Sequence, residues 1–336
     1  MAKLLVTGGS GFIGSNFIRY WQARHAQDEL VNLDLLTYAA SGDDAPSNGA
    51  RSKLRLIKGD IADPATVRRA MKGVKAVVHF AAETHVDRSI QNSQIFLKTN
   101  VLGTHTLLEA ARQNGIQKFV YISTDEVYGS IEKGSFTEYS QLRPNSPYAA
   151  SKASGDLICR SYWVTHNLPV MVTRCCNNYG PYQFPEKVIP LFITNLIEGK
   201  KVPLYGDGMN VREWIHALDH ARAIERVMEA GEPGEIYNIG TGQEIPNVEL
   251  AGKILKALGK GGESIERVKD RPGHDFRYSL DSSKLKKLGW SPEIEFEKGL
   301  KDTIGWYRTH ESWWKKIKGK GAFKTYIKKQ YAGRAR

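Results

Sequence analysis

No run of eighteen apolar residues occurs in this chain, and the N-terminus passes at once into the strand-like Lys3-Leu4-Leu5-Val6-Thr7 without the flanks of a secretory leader. A helical membrane span is therefore not expected, and a cytoplasmic location is. Cysteine is scarce: Cys159, Cys175 and Cys176 lack any CxxC or metal-ligand spacing and are too few for a disulfide framework, which fits a reducing compartment. No metal site is expected. Internal repeats and low-complexity segments are also missing, apart from a basic C-terminal stretch.

What is present is an ordinary globular composition, 41% hydrophobic and 25% charged over 336 residues, enough for one large or two moderate domains. The net charge of +12 is unevenly placed, because residues 315–336 carry nine Lys or Arg and no acid, leaving about +3 on the rest. Such a tail is expected as a solvated surface segment. Nucleic-acid binding through it is the weaker reading.

Short apolar strands alternate with helical patterns in the first half, the signature of a parallel sheet covered on both faces. Strands are expected at 3–7, 30–34, 54–58, 75–80, 117–122 and 169–174, and helices at 12–25, 64–72, 92–114 and 147–167. Ser146 as N-cap and Pro147 at the first helical position mark the last of these helices. Residues 36–53 read as a long mobile loop, and beyond about 175 Pro and Gly become denser and the elements shorter. The fold class expected is α/β, a Rossmann-type doubly wound parallel sheet with a smaller C-terminal mixed α/β lobe for substrate. The corresponding division is 1–175 for the first lobe, with some later segments returning to it, 176–314 for the second, and 315–336 for the basic tail.

Gly8, Gly11 and Gly14, in Gly8-Gly9-Ser10-Gly11-Phe12-Ile13-Gly14, lie between a strand and a helix, where small residues let the backbone and free N–H groups approach a pyrophosphate. Asp34 closes the second strand twenty residues after Gly14, placed to bind the two hydroxyls of an adenosine ribose and to repel a 2′-phosphate. The cofactor predicted is NAD. Asp60 and Ile61 after the third strand, and Ala81 and Ala82 after the fourth, are further candidate contacts, each equally readable as strand-end packing.

Tyr148 and Lys152 stand one turn apart on one helix face, where an ammonium can stabilise a phenolate whose ordinary pKa is about 10. Asp125 and Glu126 follow the fifth strand directly, a possible acid and a possible base beside that pair. Adjacent like charges in a desolvated pocket favour single ionisation, and the sequence leaves open which acid holds the proton.

This combination resembles the extended short-chain dehydrogenase/reductase superfamily, whose members act on nucleotide sugars. The triplet Thr124-Asp125-Glu126 is similar to that of the dTDP-glucose 4,6-dehydratases. The resemblance runs through most of the chain, in His79-Phe80-Ala81-Ala82-Glu83-Thr84-His85, Ser146-Pro147-Tyr148, Asn177-Asn178-Tyr179-Gly180-Pro181, Tyr205-Gly206-Asp207-Gly208 and Arg271-Pro272-Gly273-His274. It implies oxidation at C4 of the glucosyl unit by Tyr148 with Ser123 or Thr124, removal of the C5 proton by Glu126, and protonation of the departing C6 hydroxyl by Asp125. The hydride then returns to C6, and NAD regenerates within each turnover.

The same resemblance implies cofactor contacts from Phe12, Ile13, Thr37, Thr99, Ser123, Lys152 and Asn178, and substrate contacts from His85, Thr124, Asn177, Lys187, Val188, Arg212, Asn247, His274 and Tyr278. Arg212 has independent physical support, because a guanidinium forks onto phosphate oxygens. Arg88 is readable either as a sugar contact or as a loop anchor through a carboxylate. The partner expected is the nucleotide sugar dTDP-glucose, and a homodimer is expected through the helices at 92–114 and 147–167. UDP-glucose 4,6-dehydratases, nucleotide-sugar epimerases and decarboxylases, and a non-enzymatic NAD-sensing or RNA-binding protein remain alternatives.

Overall fold

The computed structural model describes residues 2–40 and 53–331. Strand and helix alternate through β1 (Lys3–Thr7), α1 (Phe12–Arg24), β2 (Glu29–Asp34), β3 (Leu54–Lys58), α2 (Pro64–Met71), β4 (Ala76–His79), α3 (Val86–Gln91), α4 (Gln94–Phe96), α5 (Thr104–Gln113), β5 (Lys118–Thr124), α6 (Pro147–His166) and β6 (Val170–Cys175). Shorter elements follow: β7 (Asn177–Tyr179), α7 (Val188–Ile197), β8 (Val202–Tyr205), β9 (Val211–His216), α8 (Ala217–Ala230), β10 (Ile236–Ile239), β11 (Glu244–Pro246), α9 (Asn247–Ala257) and β12 (Ile265–Val268). The chain then continues as helices, α10 (Ser283–Lys287), α11 (Phe296–Thr309), α12 (Glu311–Gly319) and α13 (Gly321–Tyr331).

The main sheet has the order β10-β6-β5-β4-β1-β2-β3 and is parallel throughout. Leu4 and Val6 point into one core with Phe17 and Ile224, while Leu5 points into the other with Val67 and Leu108, so β1 is buried on both faces. Each such side chain contributes about 1.5–3 kcal/mol when fully buried. The strand order reverses between β1 and β4, which opens a crevice at their carboxyl ends. A three-stranded sheet, β11-β9-β7, and the pair β12-β8 form the rest, packed with α7, α9 and α11 around a third core that holds Tyr179, Trp214 and Trp314. Among the described residues no helix is long and apolar enough to cross a membrane.

Two segments depart from the sequence reading. The helix expected at 92–114 is interrupted: α3 and α4 lead into a π-helical turn, Leu97–Gly103, before α5 begins. That turn directs Asn100 inward, where its side chain accepts from Glu83 N at 2.9 Å and donates to Ser151 Oγ at 2.8 Å. The segment expected as a long mobile loop is described only to residue 40, and 41–52 lie outside the described residues.

The basic C-terminal stretch is not a solvated tail over its described part. It folds as the end of α12 and as α13, with Ile317, Phe323, Tyr326 and Gln330 buried while Lys316, Lys324, Lys328 and Lys329 stay exposed. Its charges mask a helical apolar stripe.

Candidate active site

The cofactor cavity begins where β1 ends. Gly8 has φ +71°, and a Cβ there would sit 2.6 Å from the Ala81 backbone, so only glycine lets the first and fourth strand ends approach. At Gly14 a Cβ would meet Gly8 O at 2.4 Å, which fixes the close start of α1. No side chain caps α1 at Gly11 and its first turn holds no acid, leaving free N–H groups for an anion. Asp34 accepts from Ser10 N at 2.9 Å and Leu36 N at 2.7 Å; burial raises its pKa and these two bonds oppose the rise.

The other cofactor positions, Phe12, Ile13, Thr37, Asp60, Ile61, Ala81, Ala82, Thr99, Ser123 and Asn178, line the same cavity of about 300 Å³. A dinucleotide fits the chemistry of this lining: a glycine cradle at one end, a carboxylate with spare lone pairs beyond it, and the unpartnered buried Ser123 Oγ at the reactive end. Cys175, Cys176 and His220 also border it.

Thr124 ends β5 and caps the tight turn Asp125–Tyr128, accepting from Glu126 N at 3.3 Å and donating to Asp125 Oδ1 at 3.0 Å. Its side chain also lowers the pKa of the Tyr148 phenol, against the larger effect of burial. Asp125 is 2% exposed, and its Oδ2 is buried without a partner. Burial, reinforced by Glu126, pushes the Asp125 carboxyl well above the usual carboxylate range. Burial raises Glu126 too, but Arg271, Arg212 and Lys187 oppose the rise. The two acids thereby differ: burial favours the proton on Asp125 strongly, whereas three cations favour the charged form of Glu126.

The sequence predicts that Lys152 depresses the Tyr148 phenol. The structure corrects this. Burial, followed by Glu126, raises the pKa of Tyr148, and Lys152 directs its ammonium to Ile122 O at 2.7 Å, lying 4.1 Å from the centre of the Tyr121 ring. Sharing a helix face leaves the long lysine stem free to turn toward β5 instead of the phenol. Burial brings Lys152 down to about 8, with Asp156 one turn further along α6 opposing.

A second cavity, about 170 Å³, is lined by His85, Asn177, Lys187, Val188, Arg212, Asn247, His274 and Tyr278. Of the expected substrate residues, Thr124 alone is missing from this lining and lines the cofactor cavity instead. Glu126, Asn177, Glu186 and Lys187 line both cavities. Arg212 is fixed by the Val211 and Asp275 carbonyls at 2.7 and 2.9 Å, and its guanidinium carbon sits 4.4 Å from the centre of the Tyr278 ring.

Lys187 donates to Thr84 O at 3.1 Å, and Tyr278 donates to Asp275 Oδ2 at 2.6 Å. Burial, then Arg271, brings His274 down to about 4. Burial, then Lys187, likewise keeps His85 neutral. Arg88 anchors Glu186 at 2.8 Å. Among the described residues no group of side chains could hold a metal ion.

Sequence reasoning missed Arg271, Glu186, Tyr205, Tyr326 and Gln330 as lining residues. Arg271 and Tyr205 lie inside motifs singled out above, so their presence there was the available signal. For Tyr326 and Gln330 the signal was the helical spacing hidden among the lysines.

A glycine fingerprint, a Tyr/Lys pair and an acid pair at the carboxyl edge of a doubly wound sheet define an extended short-chain dehydrogenase/reductase. Within that class, the model of the GDP-mannose 4,6 dehydratase family matches residues 5–303, and this chain belongs to that family. It is 50% identical to a dTDP-glucose 4,6-dehydratase of Streptomyces niveus over 321 residues, 94% of this chain and 96% of the relative.

Among solved structures, the DesIV dTDP-glucose 4,6-dehydratase of Streptomyces venezuelae with NAD bound superposes with a TM-score of 0.90 at 52% identity, covering 94% of this chain and 99% of that one. A Thermus thermophilus UDP-glucose 4-epimerase complexed with NAD also superposes, with a TM-score of 0.85 at 32% identity over 92% of this chain and 99% of that one. The scaffold is thus shared between chemistries, and the side chains at the site distinguish them.

Proposed function

We propose that this chain is an NAD-dependent dTDP-glucose 4,6-dehydratase that forms dTDP-4-keto-6-deoxyglucose for deoxysugar biosynthesis, such as that of rhamnose. The observation that carries this reading is the acid pair at the cavity: a buried Asp125 whose Oδ2 has no partner, beside a Glu126 that shares the second cavity's lining with Lys187, Arg212 and Arg271. An epimerase has no use for an acid that protonates a departing hydroxyl.

Bound NAD supplies a hydride acceptor and a positive ring charge that favours the Tyr148 phenolate. Tyr148 takes the C4 hydroxyl proton, with Thr124 in the same cavity lining. The resulting C4 ketone acidifies C5–H, which Glu126 removes. Asp125 gives its proton to the C6 oxygen, and water departs. Hydride returns to C6 and a proton to C5, so redox state is restored and only water is lost. Lys152 holds positive charge beneath the cavity, while Arg212, Arg271 and Lys187 balance the nucleotide's diphosphate.

In this reading residues 1–175, with some later segments returning to them, mainly bind the cofactor, 176–314 supply most of the nucleotide-sugar site, and the working location is the cytoplasm. The protein works as a homodimer. Support comes from six exposed apolar side chains, Ile90, Ile95, Leu97, Leu102, Leu157 and Val164, all on the segments 86–113 and 147–166. Exposed apolar side chains concentrated on two segments are of the kind a two-fold pairing covers.

The test is to incubate purified protein with dTDP-glucose and with UDP-glucose, watching for the alkali-induced absorbance of a 4-keto sugar and the mass loss of one water. Product from dTDP-glucose supports the reading. Product from UDP-glucose alone reassigns the nucleotide, and no product from either sinks the dehydratase claim.

A further inference from the structure

The second cavity has a wall that lies beyond residue 303, where the family match ends. Tyr205 stands on β8 at this wall, and its ring is held on three sides. Gln330 of α13, 3% exposed, donates from Nε2 to the Tyr205 hydroxyl at 2.6 Å and accepts from Gln91 at 3.4 Å. Tyr331 stacks on the ring at 6.2 Å between centroids with a 27° tilt, and His274 meets it edge-on at 6.0 Å.

The helix that supplies two of these contacts is itself clamped. Arg88 places its guanidinium 3.8 Å from the centre of the Tyr326 ring and 4.0 Å from that of Tyr38, while pairing with Glu186 at 2.8 Å. Cation–π contacts of this kind strengthen as they are withdrawn from water. Tyr205, Tyr326 and Gln330 line only the second cavity, whereas Glu126 lines both. The wall therefore belongs to the part of the cavity away from the sugar-transforming acids, where a nucleoside diphosphate has to lie.

We propose that α13 is part of the nucleotide-sugar site: Gln330 and Tyr331 position Tyr205 as the wall against the nucleoside diphosphate, and Arg88 holds the helix there through Tyr326. This rests on the dehydratase reading of the cavity. A tyrosine already fixed in its rotamer loses no further freedom on binding, so these positioning residues act on affinity and not on the chemical step.

The experiment uses full-length protein saturated with NAD. Gln330→Ala removes two polar contacts, those with Tyr205 and Gln91, and unchanged NAD affinity checks that its fold is kept. dTDP binding is read by calorimetry, and KM and kcat are read with dTDP-glucose. Gln330→Ala and Tyr331→Leu are expected to weaken dTDP binding and raise KM about tenfold, with kcat kept within about twofold.

Unchanged dTDP affinity and KM in both variants overturns the inference while leaving the dehydratase reading intact. So does a fall in kcat at constant KM. A wild-type protein that neither binds dTDP nor converts dTDP-glucose overturns the reading, and the inference with it.

Discussion

Lys152 Nζ lies 2.7 Å from Ile122 O and 4.1 Å from the centre of the Tyr121 ring, so the ammonium is anchored beneath the cofactor cavity by β5. Its charge acts there through space, and removing it leaves Lys187 as the remaining lysine of the cavity lining. Lys152→Met should lower kcat about 10²–10⁴-fold, the range of a lost acid–base group. dTDP affinity should be unchanged. The measurement is 4-keto sugar formation alongside dTDP calorimetry; a wild-type rate would remove Lys152 from the mechanism.

Asp125→Asn keeps the shape of the acid and its bond with Thr124 while removing the transferable proton. Oxidation at C4 should proceed and loss of water should slow by about 10²-fold or more, so that the absorbance of reduced cofactor accumulates in a single turnover. Tyr148→Phe should abolish both steps. Elimination at the wild-type rate in Asp125→Asn would show that another group protonates the C6 oxygen.

The pH profile follows from the directions of the shifts. Glu126 works ionised and its pKa is raised above 4.5, so activity should fall as pH drops through that raised value. Asp125 works protonated and is raised well above 3.8, and Lys152, brought down to about 8, loses its charge above that pH; both place losses on the alkaline side. A bell-shaped kcat/KM is expected, and Asp125→Asn should remove an alkaline contribution while leaving the acid limb in place.

Lys152 also makes a stability prediction. Its folded pKa is lowered from 10.5 to about 8, so between these values the unfolded chain binds more protons and stability from this group rises with pH. Denaturant titrations of cofactor-free protein at about pH 8 and about pH 10 should show an increment in wild type that Lys152→Met lacks.

Arg174 and Asp156 form an ion pair at 2.7 Å, each 3% exposed, with Arg174 also donating to Tyr128 OH at 2.8 Å. Asp156→Ala strands the guanidinium and should cost about 3–5 kcal/mol. Urea denaturation of the purified variant checks this, and a loss below about 1 kcal/mol would mean the pair behaves like an exposed one.

Leu102 and Leu157 are 59% and 60% exposed on the two segments assigned to the dimer. Leu102→Asp together with Leu157→Asp should yield monomers at micromolar concentration by light scattering. A wild-type protein that is already monomeric would discard the assignment.

The sheet, the cofactor strand ends and the start of α6 are legible because local chemistry specifies them. Ser146 Oγ does accept from Ala149 N at 3.1 Å, and Pro147 does open the helix. The π-helical turn is not legible, because Asn100 looks like any polar helix residue until Glu83 and Ser151 arrive from elsewhere in the chain. The Lys152 orientation and the difference between the two acids depend on burial and on Arg271, more than a hundred residues away. The folded C-terminal stretch was obscured by counting charge without spacing.

Glu126, Asn177, Glu186 and Lys187 face both cavities. Whatever fills one cavity strips water from side chains that the other must also use, so the two binding free energies cannot be independent. Linkage makes the effect reciprocal: the factor by which one occupant changes the grip on its neighbour is the factor returned.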